Sequence, residues 1–224
     1  MTAQLSEFSG SLAYKKYKAA APQTAHLTVS ESEDLGRDLA ALIKRQGGEF
    51  DLVVGLANGA FLPTKVVADT LGLPWHMVRV RRKGTQLKQR LLWFKTLFRI
   101  PPELILWGPF RALWVSFQKR TSALQSETRQ LDFDVAHRNI LLVDDCIETG
   151  ISLKFVSEML RHAGASTITT AVYCWADMPD IPEDQTRPDF FLHRGIQFYP
   201  WSNNSRYLDD FRQWMDKNGL VFWE

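Results

Sequence analysis

Asn139-Ile140-Leu141-Leu142-Val143-Asp144-Asp145-Cys146-Ile147-Glu148-Thr149-Gly150-Ile151-Ser152-Leu153 joins an apolar run, an acidic pair and a Gly/Thr/Ser loop that opens onto a helix. Asn139 to Val143 has the length and aliphatic content of a buried strand. From Ser152 onward, Leu153, Val156 and Leu160 recur at helical spacing. The loop between therefore meets a helix N-terminus, where unpaired N–H groups and the hydroxyls of Thr149 and Ser152 suit a phosphate. Asp144 and Asp145 would repel that phosphate. They suit neutral hydroxyls, or a magnesium ion bridging to a diphosphate. The plain alternative is an ordinary strand-to-helix turn with a solvated acidic pair.

The same grammar occurs earlier. Asp51-Leu52-Val53-Val54-Gly55-Leu56-Ala57-Asn58-Gly59-Ala60-Phe61-Leu62-Pro63 runs a β-branched strand into a Gly-containing loop, followed by a helical stretch from Thr64 to Leu71 and the breaker Gly72-Leu73-Pro74. With no Cβ at Gly59, backbone N–H groups near Asn58 and Gly59 can approach a ligand closely. Ser30-Glu31-Ser32-Glu33 is expected to cap a helix running to about Gly47. Strand and helix then alternate: Leu52 to Val54, Leu62 to Leu71, Trp75 to Val80, Ile140 to Val143, Leu153 to His162 and Thr167 to Trp175. Such alternation predicts an α/β fold with a mainly parallel sheet covered by helices on both faces. Ligands in such sheets bind at the carboxyl ends of the strands, where both loops fall.

In order and spacing the two motifs resemble those of the type I phosphoribosyltransferases (PRTases). In that family two acidic residues grip the ribose 2′ and 3′ hydroxyls of 5-phosphoribosyl diphosphate (PRPP), and the following Thr-Gly loop holds the 5-phosphate. The resemblance assigns PRPP binding to Asp144, Asp145, Cys146, Ile147, Glu148, Thr149, Gly150, Ile151 and Ser152. Ala57, Asn58 and Gly59 take the place of the family's pyrophosphate loop. It also implies Mg²⁺ carried with PRPP, touching Asp144 and Asp145 indirectly. Three positions depart from the usual pattern: Cys146 replaces an aliphatic, Ile151 a small or polar residue, and Ser152 a threonine. A basic residue after the strand that starts at Trp75 often reaches the pyrophosphate in the family. Arg82 and Lys83 are similar to that pattern, with Lys83 the better catalytic candidate; a solvated basic strand end is the bland reading.

At 224 residues and 45% hydrophobic content, the chain is expected to be one PRTase-like domain with a substantial insertion. Its two cysteines, Cys146 and Cys174, imply a reducing compartment and no disulfide framework. Met1 to Glu7 lacks the basic flank and apolar core of a signal peptide, so a cytoplasmic location is expected. The insertion, residues 84–129, stands in place of a much shorter flexible catalytic loop. Lys83 to Arg120 holds eight basic residues and one acid, a local charge of +7 in a chain whose net charge is +2, which leaves −5 elsewhere. Leu87, Leu91, Phe94 and Phe98 form one helical stripe, and Lys88, Lys95 and Arg99 another. Pro101-Pro102 ends that helix, and Phe110, Leu113, Trp114 and Phe117 begin a second. No uncharged run approaches the ~20 residues of a membrane span.

Three roles for the insertion stay open: packing on the domain or pairing two copies in a homodimer, binding nucleic acid, and lying on an anionic membrane surface. Long Leu, Trp and Phe stripes suit lipid better than stacked bases, so nucleic acid is the weakest of the three. A peripheral position on the inner face of the cytoplasmic membrane, held by Lys88, Trp93, Lys95, Arg99 and Trp114, points to a glycan or lipid-linked glycan acceptor. The chain then resembles PRTases that start ribofuranose addition in bacterial surface polysaccharides, working with a partner phosphatase. Glu148 is the candidate general base toward an acceptor hydroxyl, against the plain reading of a solvated loop carboxylate. Residues 188–224, with the N-terminal segment, are expected to form a hood in which Tyr199, Trp201 and Asn203 meet the acceptor. Phe198-Tyr199-Pro200-Trp201 also resembles the hood of purine PRTases, which keeps salvage of hypoxanthine, guanine or xanthine as the rival enzyme; a buried aromatic strand is the plain reading. A PRPP-sensing regulator without catalysis is the third possibility.

Overall fold

A computed structural model of the chain describes residues 26–56, 58–79, 131–147, 150–175, 187–194 and 197–221. The first helix, α1 (Val29–Arg45), begins at Thr28. Thr28 Oγ1 accepts from the Glu31 backbone N–H at 3.2 Å, and the Glu31 carboxylate accepts from the Thr28 N–H at 2.9 Å and hydroxyl at 2.8 Å. This capping box sits two residues before the Ser30 expected from sequence, because Glu31 lies three residues after Thr28 and so reaches back to it. Leu35, Leu39, Leu42 and Ile43 are buried along one face of the helix.

Five strands form one all-parallel sheet in the order β2-β1-β3-β4-β5. They are β1 (Leu52–Leu56), β2 (Trp75–Val78), β3 (Asn139–Ile147), β4 (Thr167–Trp175) and β5 (Phe190–Arg194). All five residues of β1 are buried, as are Ile140 to Val143 of β3, because helices cover both faces of a parallel sheet. The crossovers are α2 (Phe61–Leu71) and α3 (Ile151–His162). In α3 the buried Leu153, Val156 and Leu160 are the residues whose spacing marks the helix in sequence.

Three features differ from the sequence expectation. β3 continues four residues past Val143, held by the pairs Asp144↔Val172, Cys146↔Cys174 and Ile147↔Trp175 with β4, so the acidic pair lies in the strand rather than in the loop. Phe190–Arg194 is a strand of the main sheet rather than part of a hood. An i, i+3, i+7 stripe that sequence reading did not single out, Leu208, Phe211 and Met215, belongs to α4 (Leu208–Lys217), whose Phe211 and Met215 are buried. Trp214 Nε1 of α4 donates to Glu33 Oε1 of α1 at 2.8 Å, and the Leu27 N–H donates to the Phe198 carbonyl at 2.9 Å, tying the C-terminal segment to the start of α1. Among the described residues, no helix is long and apolar enough to cross a membrane.

Candidate active site

β1 continues to β2 on one side of the sheet, whereas β3 and the strands after it lie on the other. The carboxyl ends of β1 and β3 therefore flank the topological switch point of the sheet. On one side of it is the 3₁₀ turn Asn58–Ala60. On the other are the acidic end of β3 and the start of α3.

Gly150 precedes α3 with φ of 68°, a left-handed conformation that a side chain would strain. The first N–H groups of α3, from Ile151 and Ser152, have no carbonyl of their own helix to bond. Ser152 is half-buried and Ile151 is exposed at this mouth.

The acidic pair is held from several directions. The Asp145 N–H donates to Asp144 Oδ1 at 2.9 Å, and the Cys146 N–H donates to Asp145 Oδ1 at 2.7 Å. Trp201 Nε1, from the C-terminal segment, donates to Asp145 Oδ2 at 2.6 Å. Burial pushes the Asp145 carboxyl above its ordinary range, and the bonds from Trp201 and Cys146 pull against that rise. Hydrogen bonds with the Asp144 side chain and with its own backbone add to these in orienting Asp145.

Gly59 is where the two loops meet. A Cβ built there would collide with the Asp145 carboxylate and lie 3.2 Å from Trp201 Nε1. The missing side chain thus makes room for the Asp145–Trp201 pair. Gly59→Ala is expected to force one of the two partners aside, at the ~1–3 kcal/mol typical of overpacking. The check is a paired measurement of Tm and PRPP affinity. A variant with both unchanged would show that the close approach is not needed.

Tyr199 and Trp201 are 3% and 7% exposed, with their rings stacked at 4.9 Å. Trp201 packs against Phe211 of α4 as well. Both rings are buried, and Trp201 supports the acidic end of β3 through its bond to Asp145. The hydroxyl of Tyr199 lies 3.4 Å from His193 Nε2. His193, Cys174 and Cys146 are register partners across β5, β4 and β3, a row that sequence alone did not single out. Asn203 is exposed. Ala57, Arg82, Lys83, Lys88, Trp93, Lys95, Arg99, Trp114, Glu148 and Thr149 lie outside the described residues, as does the whole 84–129 insertion.

No group of three or more His, Cys, Asp or Glu among the described residues is arranged to hold a metal ion. With Asp145 already engaged through both oxygens, this donor set fits a Mg²⁺ held mainly by the diphosphate of a substrate.

Residues 110–203 match the family model of the phosphoribosyl transferase domain, a span that contains the whole acidic-pair loop. That span carries a phosphoribosyl transferase domain. Solved structures agree on the fold. A purine phosphoribosyltransferase from Pyrococcus horikoshii Ot3 superposes with a TM-score of 0.53 at 19% identity, covering 81% of this chain and 96% of that one. A Helicobacter pylori xanthine-guanine-hypoxanthine phosphoribosyltransferase gives 0.53 at 14% identity, over 85% and 99%. A hypothetical protein from Neisseria gonorrhoeae with bound ppGpp gives 0.51 at 15%, over 88% and 98%. Comparison with curated protein sequences gave no match.

Proposed function

We propose that this PRTase transfers the 5-phosphoribosyl group of PRPP to a purine base and releases pyrophosphate. The observation that carries the PRPP part is the meeting, at one switch point, of the Asp144–Asp145 pair, the α3 N-terminus and the Asn58–Ala60 turn. The purine acceptor draws support from the Pyrococcus and Helicobacter neighbours, whose substrates are purines by name. The burial of Tyr199 and Trp201 bears equally on a sugar and on a base, so the hood does not choose between the two acceptors.

In this scheme Asp144 and Asp145 accept the ribose hydroxyls, and the Thr149 to Ser152 loop holds the 5-phosphate at the start of α3. Backbone N–H groups of Asn58 and Gly59 face the diphosphate, with Arg82 and Lys83 as its further cationic partners. Mg²⁺ bound with PRPP would supply charge neutralisation for the diphosphate, with Asp144 and Asp145 meeting it only indirectly. Positive charge builds at the anomeric carbon as that group leaves, and the acceptor adds from the opposite face with inversion. Glu148 takes the proton that the acceptor nitrogen gives up. Most of the rate comes from placement and charge neutralisation.

One sequence feature favours a second acceptor. The +7 segment from Lys83 to Arg120, with its aromatic stripes, suits a lipid-linked glycan on an anionic membrane. A single experiment separates the two. The protein is given PRPP and Mg²⁺ with hypoxanthine, guanine or xanthine, and separately with a glycan acceptor and phosphatidylglycerol vesicles. Pyrophosphate release that depends on a purine and ignores vesicles is the expected result. Release that depends on the glycan, with vesicle binding that weakens as salt rises, would replace the purine reading. PRPP binding with no turnover on any acceptor would make the chain a PRPP sensor.

A further inference from the structure

Cys146 and Cys174 are the chain's two cysteines, and the fold sets them side by side although 28 residues separate them in sequence. They are register partners on the adjacent parallel strands β3 and β4, and the Cys146 side chain is the largest influence lowering the Cys174 thiol. Neighbouring strands run about 4.8 Å apart, within the about 4.4–6.8 Å between Cα atoms that a disulfide spans. The next residue in the row is His193 of β5, which also lowers the Cys174 thiol and whose Nε2 lies beside the Tyr199 hydroxyl. Accessibility divides the pair: Cys146 is partly exposed and Cys174 is buried. One sulfur can therefore be reached from outside, and the other is screened but already touching it.

We propose that Cys146 and Cys174 form a redox-active dithiol at the active site, which a hydroperoxide closes to a disulfide that loosens the ribose grip. In the first step the Cys146 sulfur attacks the outer oxygen of the hydroperoxide and gives up its thiol proton. The S–O bond forms as the O–O bond breaks, the alcohol or water leaves with the proton, and Cys146 becomes a sulfenic acid. In the second, the Cys174 thiolate attacks the Cys146 sulfur and expels hydroxide, which leaves as water once protonated. Two thiols are oxidised, one peroxide is reduced, and a cellular thiol reverses the change. Hydrogen bonds from Cys146 and His193 lower the Cys174 thiol to about 6, so the resolving group is ready as a thiolate at neutral pH.

The link to the site is the backbone of Cys146. Its N–H holds Asp145 Oδ1 at 2.7 Å, so drawing Cys146 toward β4 moves one of the two donors that orient this carboxylate. This consequence for the ribose grip rests on the PRPP reading above; the disulfide itself does not. A bond of this kind in a reducing cell is transient and regulatory rather than structural.

The test treats the reduced full-length protein with one equivalent of hydrogen peroxide and follows intact mass, free-thiol count and PRPP affinity together. Expected are a monomer lighter by two hydrogens, no titratable thiol, PRPP affinity lower by about tenfold, and recovery with dithiothreitol. Cys174→Ala keeps PRPP affinity before peroxide and yields a Cys146 sulfenic acid that dimedone traps; where that variant folds poorly, Cys174→Ser serves the same purpose. Two intact thiols after peroxide, a disulfide between two chains, or over-oxidation of Cys146 in the wild type would each overturn the dithiol. A clean internal disulfide with unchanged PRPP affinity would overturn the coupling to the ribose grip. Reduced protein that binds no PRPP would sink the proposed function and leave the mass result standing.

Discussion

Replacing Asp144 and Asp145 together by Asn is expected to lower kcat/KM for PRPP by about 10²–10⁴, since each hydrogen bond to a charged partner is worth about 1.5–3 kcal/mol. The structure adds two qualifications to that expectation. First, Asp145 receives donors on both oxygens, from Cys146 and Trp201, and an amide has one acceptor atom, so the Asn variant strands one buried donor. A modest loss of stability should accompany the loss of activity, and the single variant Asp144→Asn separates the two. Second, burial raises the Asp145 pKa, so the acid limb of kcat/KM should lie above the ordinary carboxylate range. The Trp201 bond favours the ionised form and pulls that pKa down. Trp201→Phe should therefore move the acid limb further up, with kcat on the plateau changed less. A double variant that still turns over PRPP at the wild-type rate would remove the acidic pair from the mechanism, and an acid limb unmoved by Trp201→Phe would remove the tryptophan.

Glu148→Gln should cut kcat by about 10²–10⁴ while leaving PRPP binding nearly unchanged, because the substitution keeps shape and removes basicity. The effect should appear with whichever acceptor the enzyme uses, since both lose a proton as the anomeric carbon is attacked. Single-turnover kinetics with saturating PRPP is the measurement of choice, because it separates chemistry from product release. An unchanged rate would return Glu148 to the role of a solvated loop carboxylate and leave proton removal to water or to a residue of the 84–129 insertion.

The PRTase loops were legible in the sequence because they are contiguous. Asn139 to Leu153 writes strand, acid pair, loop and helix in one line, and Leu52 to Leu71 repeats the pattern, so local periodicity and turn chemistry suffice. The parallel sheet follows from their alternation, and α1 from its apolar stripe. Errors were of the kind local rules make. The α1 cap was placed at Ser30 instead of Thr28, since both offer a hydroxyl and only the Glu31 geometry chooses between them. Within the segment 188–224 expected to form a hood, Phe190–Arg194 announces itself as a strand only once β4 is there to pair with it.

By itself, then, the sequence determined the class of fold, the order of its elements and the contiguous loops that resemble a PRPP site. Tertiary structure decided which distant residues serve that site. Trp201 lies 56 residues from Asp145, and nothing in its neighbourhood says that its indole N–H will point inward at a carboxylate instead of outward at an acceptor. Gly59 looked like a place for a diphosphate to approach, and its absent Cβ also makes room for Asp145 and Trp201. Cys146, Cys174 and His193 form a row only because three strands share one register. The physical reason is common to all three: periodicity encodes which face of an element is buried, whereas the partner it is buried against is set by the pairing of strands far apart in the chain.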